Sequence, residues 1–163
     1  MVEQTLFIII AVFTLLMGLG VVIARNLFHA ALFLVGVFFG IAALFIMLEA
    51  EFLAMAQLII YIGAIATLII FAIMLSKGMM GRESGAYNNQ WRLAGGAMIF
   101  FVGLLSWLLT KMPFAPTGEA VPDDAIQQIG MGFVNHYVVP FEVASILLLV
   151  ALVGAIMLAR ERN

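Results

Sequence analysis

The chain has 163 residues, of which 66% are hydrophobic and 10% charged, with a formal net charge of −2 and no cysteine. A soluble domain of this size is excluded, because the polar surface needed to cover it is missing. So are a nucleic-acid partner, for want of a basic cluster, and any disulfide, thiolate metal site or cysteine-held iron–sulfur cluster. What remains is an all-α integral membrane protein: one membrane domain, residues 1–163, holding a bundle of five transmembrane helices in a lipid bilayer.

The charge-free runs are Gln4–Ala24, Asn26–Leu48, Phe52–Ser76, Leu93–Thr110 and Val143–Ala159. Each is close to the roughly 20 residues that cross a hydrocarbon core. Their continuous apolarity, without alternation, specifies helices rather than barrel strands. The predicted spans are residues 5–24, 27–48, 52–75, 93–110 and 141–159, with an outer loop over 111–139.

The first span has no basic region before it and no small-residue cleavage site, so it is expected to be retained rather than removed as a signal peptide. A tight turn at Arg25–Asn26 leads into the second span, where His29 snorkels or caps at the inner end. Gly36 and Gly40 form a GxxxG pattern that permits close helix approach, and packing is the role expected of them. Glu49-Ala50-Glu51 is a short solvated turn into span three.

Span three carries Gln57 to Leu75, with an amide, a phenol and a glycine at membrane depth. On a straight α-helix Ala54, Gln57, Tyr61, Ala64, Leu68 and Ala72 share a face about 80° wide. Two readings of that face stand side by side: an interhelical hydrogen bond for Gln57 and Tyr61, or a seam that holds water. Gly63 costs roughly 1 kcal/mol in a helix interior relative to Ala. It serves either close packing or a π-bulge, which would swing Thr67 and Leu68 on or off the seam.

A Gly-, Ser- and Asn-rich loop follows from Lys77, and span four opens with Gly95-Gly96. The outer loop holds Pro113, Pro116 and Pro122, and Asp123 or Asp124 is placed to cap a short amphipathic helix through Ile126 and Ile129. Pro140 opens span five and puts Glu142 in its first turn, as a favourable N-terminal charge or as a proton-handling or ion-paired group facing a partner.

Of the seven Lys and Arg residues, only Lys111 falls on the outer side; Arg25, Lys77, Arg82, Arg92, Arg160 and Arg162 share the other. The positive-inside rule therefore predicts the N-terminus outside and the C-terminus cytoplasmic. The same charge bias, with no transit peptide, points to the inner (plasma) membrane of a cell. His29 and His136 lie at helix ends or in loops, so no metal site is expected within the chain. No nucleophile–base set, phosphate loop or facing carboxylate pair is present for covalent catalysis by this chain alone.

NLFHAALFL from Asn26, EFLAMAQLIIYIGAIATLIIFAIML from Glu51 and PFEVASILLLVALVGAIMLAR from Pro140 together resemble subunit 6, the chain J type, of proton-translocating NADH–quinone oxidoreductase, respiratory complex I. The resemblance implies a non-catalytic membrane-arm subunit without a redox cofactor of its own; FMN, iron–sulfur clusters and quinone belong to other subunits. Its implied partners are the chains resembling subunits 1, 3 and 4L. It also implies that Tyr61, Gly63, Ala64 and Ile65 form a π-bulge region. Bulge formation and loss there would open and close a water path from the quinone cavity, coupling quinone reduction to proton translocation. Gln57 stands where some members have a glutamate, so an amide there orders water without taking up a proton. Glu142 matches the PFE motif. The alternative is a structural or assembly subunit of a related membrane-bound hydrogenase or sodium–proton antiporter complex.

Overall fold

A computed structural model describes residues 2–76, 91–112, 121–122 and 124–160, all the secondary structure among them being helical. The 77–90 loop, Pro113, Pro116 and Asp123 lie outside the described residues. Among the described residues, five helices are long and apolar enough to cross a membrane. We number the elements α1 (Val2–Ile23), α2 (Leu27–Met47), α3 (Glu51–Ser76), α4 (Trp91–Lys111), α5 (Ala125–Val134) and α6 (Val138–Ala159).

The turn between α1 and α2 is closed at both ends. The Ala24 N–H donates to the Gly20 carbonyl at 3.0 Å, and Asn26, extended at φ −107° and ψ 122°, accepts the Phe28 N–H on its side-chain oxygen at 2.9 Å. An amide oxygen at this position replaces the missing turn for one of the first N–H groups of α2.

α1 and α2 then meet through glycines from both sides. A Cβ placed on Gly20 would sit 2.7 Å from the Phe33 ring, and one on Gly36 would sit 2.8 Å from the Met17 sulfur. A Cβ on Gly40 would run into the Thr14 hydroxyl. That hydroxyl is held in place by donating to the Ile10 carbonyl at 2.7 Å. The GxxxG pattern thus faces α1, as a close-approach motif requires. On the opposite side of α2, Ala31, Phe38 and Ala42 fall within about 40° of one another. The Phe38 ring there meets Tyr61 of α3 edge-on, with centroids 5.4 Å apart. α2 is therefore the middle layer between α1 and α3.

Between α2 and α3 the chain reverses at Glu49, which has φ 55°. The Ala50 N–H reaches the Phe45 carbonyl at 2.9 Å and the Glu49 N–H reaches the Ile46 carbonyl at 3.0 Å, the paired bonds of a Schellman ending. Glycine is the residue that adopts this left-handed geometry without a Cβ penalty. Glu49→Gly is therefore expected to stabilise the turn by about 1 kcal/mol. The check is the temperature at which the chain leaves its purified assembly, which should rise.

Among the described residues the buried apolar ones are Ala31, Ala42, Ala54 and Ala66, all small. Burial comes from backbones brought close together rather than from interdigitated large side chains. Every residue of α4 from Leu93 onward is exposed, as is every residue of α6 except half-buried Ser145 and Gly154. α5 is anchored through its rings: Phe133 lies 6.2 Å from Phe52 at the start of α3 and 6.0 Å from Phe141 of α6.

Two local expectations change. Asp124 does occupy the N-cap position of α5, but its carboxylate accepts from the Gln128 side-chain amide at 2.9 Å instead of from a backbone N–H. α6 begins at Val138, so Pro140 sits inside its first turn and Glu142 in its second. Proline is tolerated there because the first N–H groups of a helix have no intrahelical acceptor.

A π-helical segment as the candidate functional site

α3 is α-helical over Glu51–Ala56, π-helical over Gln57–Ala66 and α-helical again over Thr67–Ser76. The π-helical stretch spans ten residues and contains Tyr61, Gly63, Ala64 and Ile65. A π-helix closes its hydrogen bonds over five residues and turns once in about 4.4 residues, so each residue advances about 82° rather than about 100°.

That difference decides which side chains face α2. On an α-helix Gln57 and Ala66 would point in opposite directions; over nine π steps they come within about 20° of each other. Both are buried, Gln57 at 6% exposure and Ala66 at 2%. The face expected on a straight α-helix is correspondingly broken. Ala54 and Gln57 are buried, Tyr61 touches Phe38 with its ring while remaining half exposed, and Ala64, Leu68 and Ala72 are exposed. Beyond Gln57, Ala66 is buried and Leu58, Ile62, Ile69, Ile70, Ile73 and Ser76 are half-buried. Ile65 and Thr67 stay on the exposed side.

Gln57 is the one buried polar residue among those described, and its amide makes no hydrogen bond to another described residue. Among the described residues no completely enclosed side-chain nitrogen or oxygen lacks a partner, so the amide keeps a narrow opening. An amide can hydrogen-bond a polar molecule at such an opening but cannot itself exchange a proton.

Gly63 is not at a helix contact: a Cβ there would meet only the Leu58 carbonyl, at the ordinary distance of 3.5 Å. It therefore takes part in no close packing against another described helix of the chain, and it lies inside the π segment. Thr67 ends the segment, and its hydroxyl donates to the Ile62 carbonyl at 3.3 Å. Glu142 lies on exposed α6 and is not brought to this site; its surface faces outward from the chain. Phe38 and Ala66 are the site residues that sequence reasoning missed. Both are apolar, and only a changed helical period marks them out.

Fold and site together define a multi-pass α-helical membrane protein whose third span is π-helical over its middle ten residues. Over residues 17–158 the chain matches the family described as NADH-ubiquinone/plastoquinone oxidoreductase chain 6, and it belongs to that family. It is 40% identical over 163 residues to the NAD(P)H-quinone oxidoreductase chain 6 of Leptolyngbya boryana, covering 98% of this chain and 81% of the relative. It is 38% identical over 165 residues to the F(420)H(2) dehydrogenase subunit J of Methanosarcina mazei, covering 97% and 91%. A chloroplastic NAD(P)H-quinone oxidoreductase subunit 6, from Chlorokybus atmophyticus, is 38% identical over 169 residues, covering 90% and 78%. The resemblance read from the sequence to subunit 6 of complex I therefore holds.

Proposed function

We propose that this chain is a non-catalytic membrane-arm subunit that couples quinone reduction, carried out elsewhere in the complex, to proton translocation. In this reading α3 is the gate. The observation that carries it is the ten-residue π segment that aligns buried Gln57 with Ala66 against α2. Returning those residues to α-helical geometry would turn one end of α3 against the other by about 160°. Gln57 would then leave its place beside α2, or everything beyond Ala66 would rotate, and the polar opening at the amide would close or move. Two packings separated by only a few kcal/mol suffice for such a switch.

The surroundings fit a subunit. α4 and α6 offer apolar surface on every side, which neighbouring membrane chains resembling subunits 1, 3 and 4L, together with lipid, would cover. Glu142 on α6 is then an ion-pair or proton site at such a contact. FMN, iron–sulfur clusters and quinone are assigned to other subunits. The electron donor is assigned elsewhere too, since the relatives of similar identity are named for both NAD(P)H and F(420)H(2). A plasma membrane with the N-terminus outside follows the charge distribution.

Gly63→Val tests the gate. The substitution meets no neighbouring helix, but a β-branched residue stiffens the backbone within the segment. In the assembled complex, electron transfer to an artificial acceptor should be retained while quinone-coupled proton transfer falls severalfold. Normal assembly with unchanged pumping would exclude gating at this segment.

A further inference from the structure

We propose that the Thr67 hydroxyl is the latch that holds α3 in its π-helical register. This inference deepens the gating reading above by naming the positioning residue that sets the balance between the two registers. The evidence is an internal comparison. Among the described residues, four other helical hydroxyls bond back to carbonyls three or four residues earlier: Thr14 to Ile10 at 2.7 Å, Ser145 to Phe141 at 2.9 Å, Thr110 to Trp107 at 2.7 Å and Ser76 to Ile73 at 3.3 Å. Those are the bonds α-helical geometry allows a short hydroxyl side chain. Thr67 reaches five residues back, to Ile62.

The difference has a direct cause. In an α-helix the Ile62 carbonyl accepts the N–H of Ala66; in a π-helix its ladder donor would be the N–H of Thr67. Here the chain resumes its tighter winding at the C-cap Thr67, where a backbone N–H reaches the Ala64 carbonyl. The hydroxyl of the same residue takes the Ile62 carbonyl. A side chain thereby bridges the junction at which the wide turns hand over to the α-helix. If residues 57–66 wound back to α geometry, the Ile62 carbonyl would return to Ala66, and the Thr67 hydroxyl would fall back on a carbonyl three or four residues behind it. The bond to Ile62 exists in one register only, so it biases the balance toward that register. Thr67 is exposed within the chain, so the hydroxyl is not needed to fill space against α2.

The test compares Thr67→Val, which keeps the shape and removes the hydroxyl, with Thr67→Ser, which keeps the hydroxyl. Assembled complexes carrying each would be frozen during turnover, and cryo-electron microscopy particles sorted by the register of residues 57–66. The ratio of π to α particles should fall about two- to tenfold in Thr67→Val, the effect of losing one hydrogen bond, and stay near wild type in Thr67→Ser. Thr67→Ala, compared in the same way, reports on the hydroxyl if Val prevents assembly. A Thr67→Val complex with the wild-type ratio, or a Thr67→Ser complex as depleted as Thr67→Val, overturns the latch. Proton transfer measured on the same preparations separates the two ideas. A shifted register with unchanged coupling would leave the latch standing and sink the gate.

Discussion

Gly40→Leu is expected to abolish incorporation of this chain into its complex, read as loss of copurifying neighbours on a tagged subunit. A Cβ at this position already coincides with the Thr14 hydroxyl, and the backbone of Gly40 is itself buried. A leucine must therefore push α1 away from α2 along their shared face. Overpacking of a close contact costs about 1–3 kcal/mol when side chains can yield, and more when backbones must part. In a bilayer, helix association rests on packing, because lipid tails are as apolar as the residues they replace. The loss has no compensating hydrophobic term. Gly40→Ala should give a partial defect, and adding Thr14→Ala should relieve it, because the second change removes the hydroxyl and methyl that the new Cβ meets. The rescue is the decisive arm: an undiminished defect in the double variant would locate the problem away from the α1–α2 contact.

Gln57→Leu should behave in the opposite way, leaving assembly intact and removing function. The amide is buried at 6% exposure with no hydrogen-bonding partner among the described residues, a placement that costs stability. A leucine of similar volume removes that cost, so the assembled variant should be as stable as wild type or more so, by up to about 2 kcal/mol. Coupled proton transfer should fall by about tenfold, equivalent to about 1.4 kcal/mol at the limiting step, while electron transfer to an artificial acceptor persists. A residue that weakens the fold and is kept for activity gives this separation. Proton transfer at the wild-type rate in Gln57→Leu would make the amide a structural accident.

Much of the architecture was legible before any coordinates. Five charge-free runs of membrane-crossing length specify five helices, because only a helix satisfies every backbone group within one segment in lipid. The Gly36–Gly40 pattern specified a close approach, and the structure supplies its partner in Thr14 and Met17. Gln57 drew notice for a sound reason, since an amide in a span has to be accommodated somehow. The face assigned to it was wrong beyond the first turn, because the 100° step used to draw that face assumes an α-helix throughout.

The residues of 57–66 do not by themselves fix π geometry: Gly63 allows it, but every residue type present is also found in α-helical spans. Backbone winding there depends on which side of α3 finds small partners on α2, a property of two segments together. By itself, then, the sequence determined the solvent, the number of spans and the residues that let two of them touch, since these depend on composition and on the reach of a single segment. Only the tertiary structure decided that α2 is the middle layer and that, among the described residues, α4 and α6 stay exposed along their length, α6 meeting the short α5 through Phe141 and Phe133. It alone set Gln57 and Ala66 on one side of α3, because a helix's period is chosen by what it packs against.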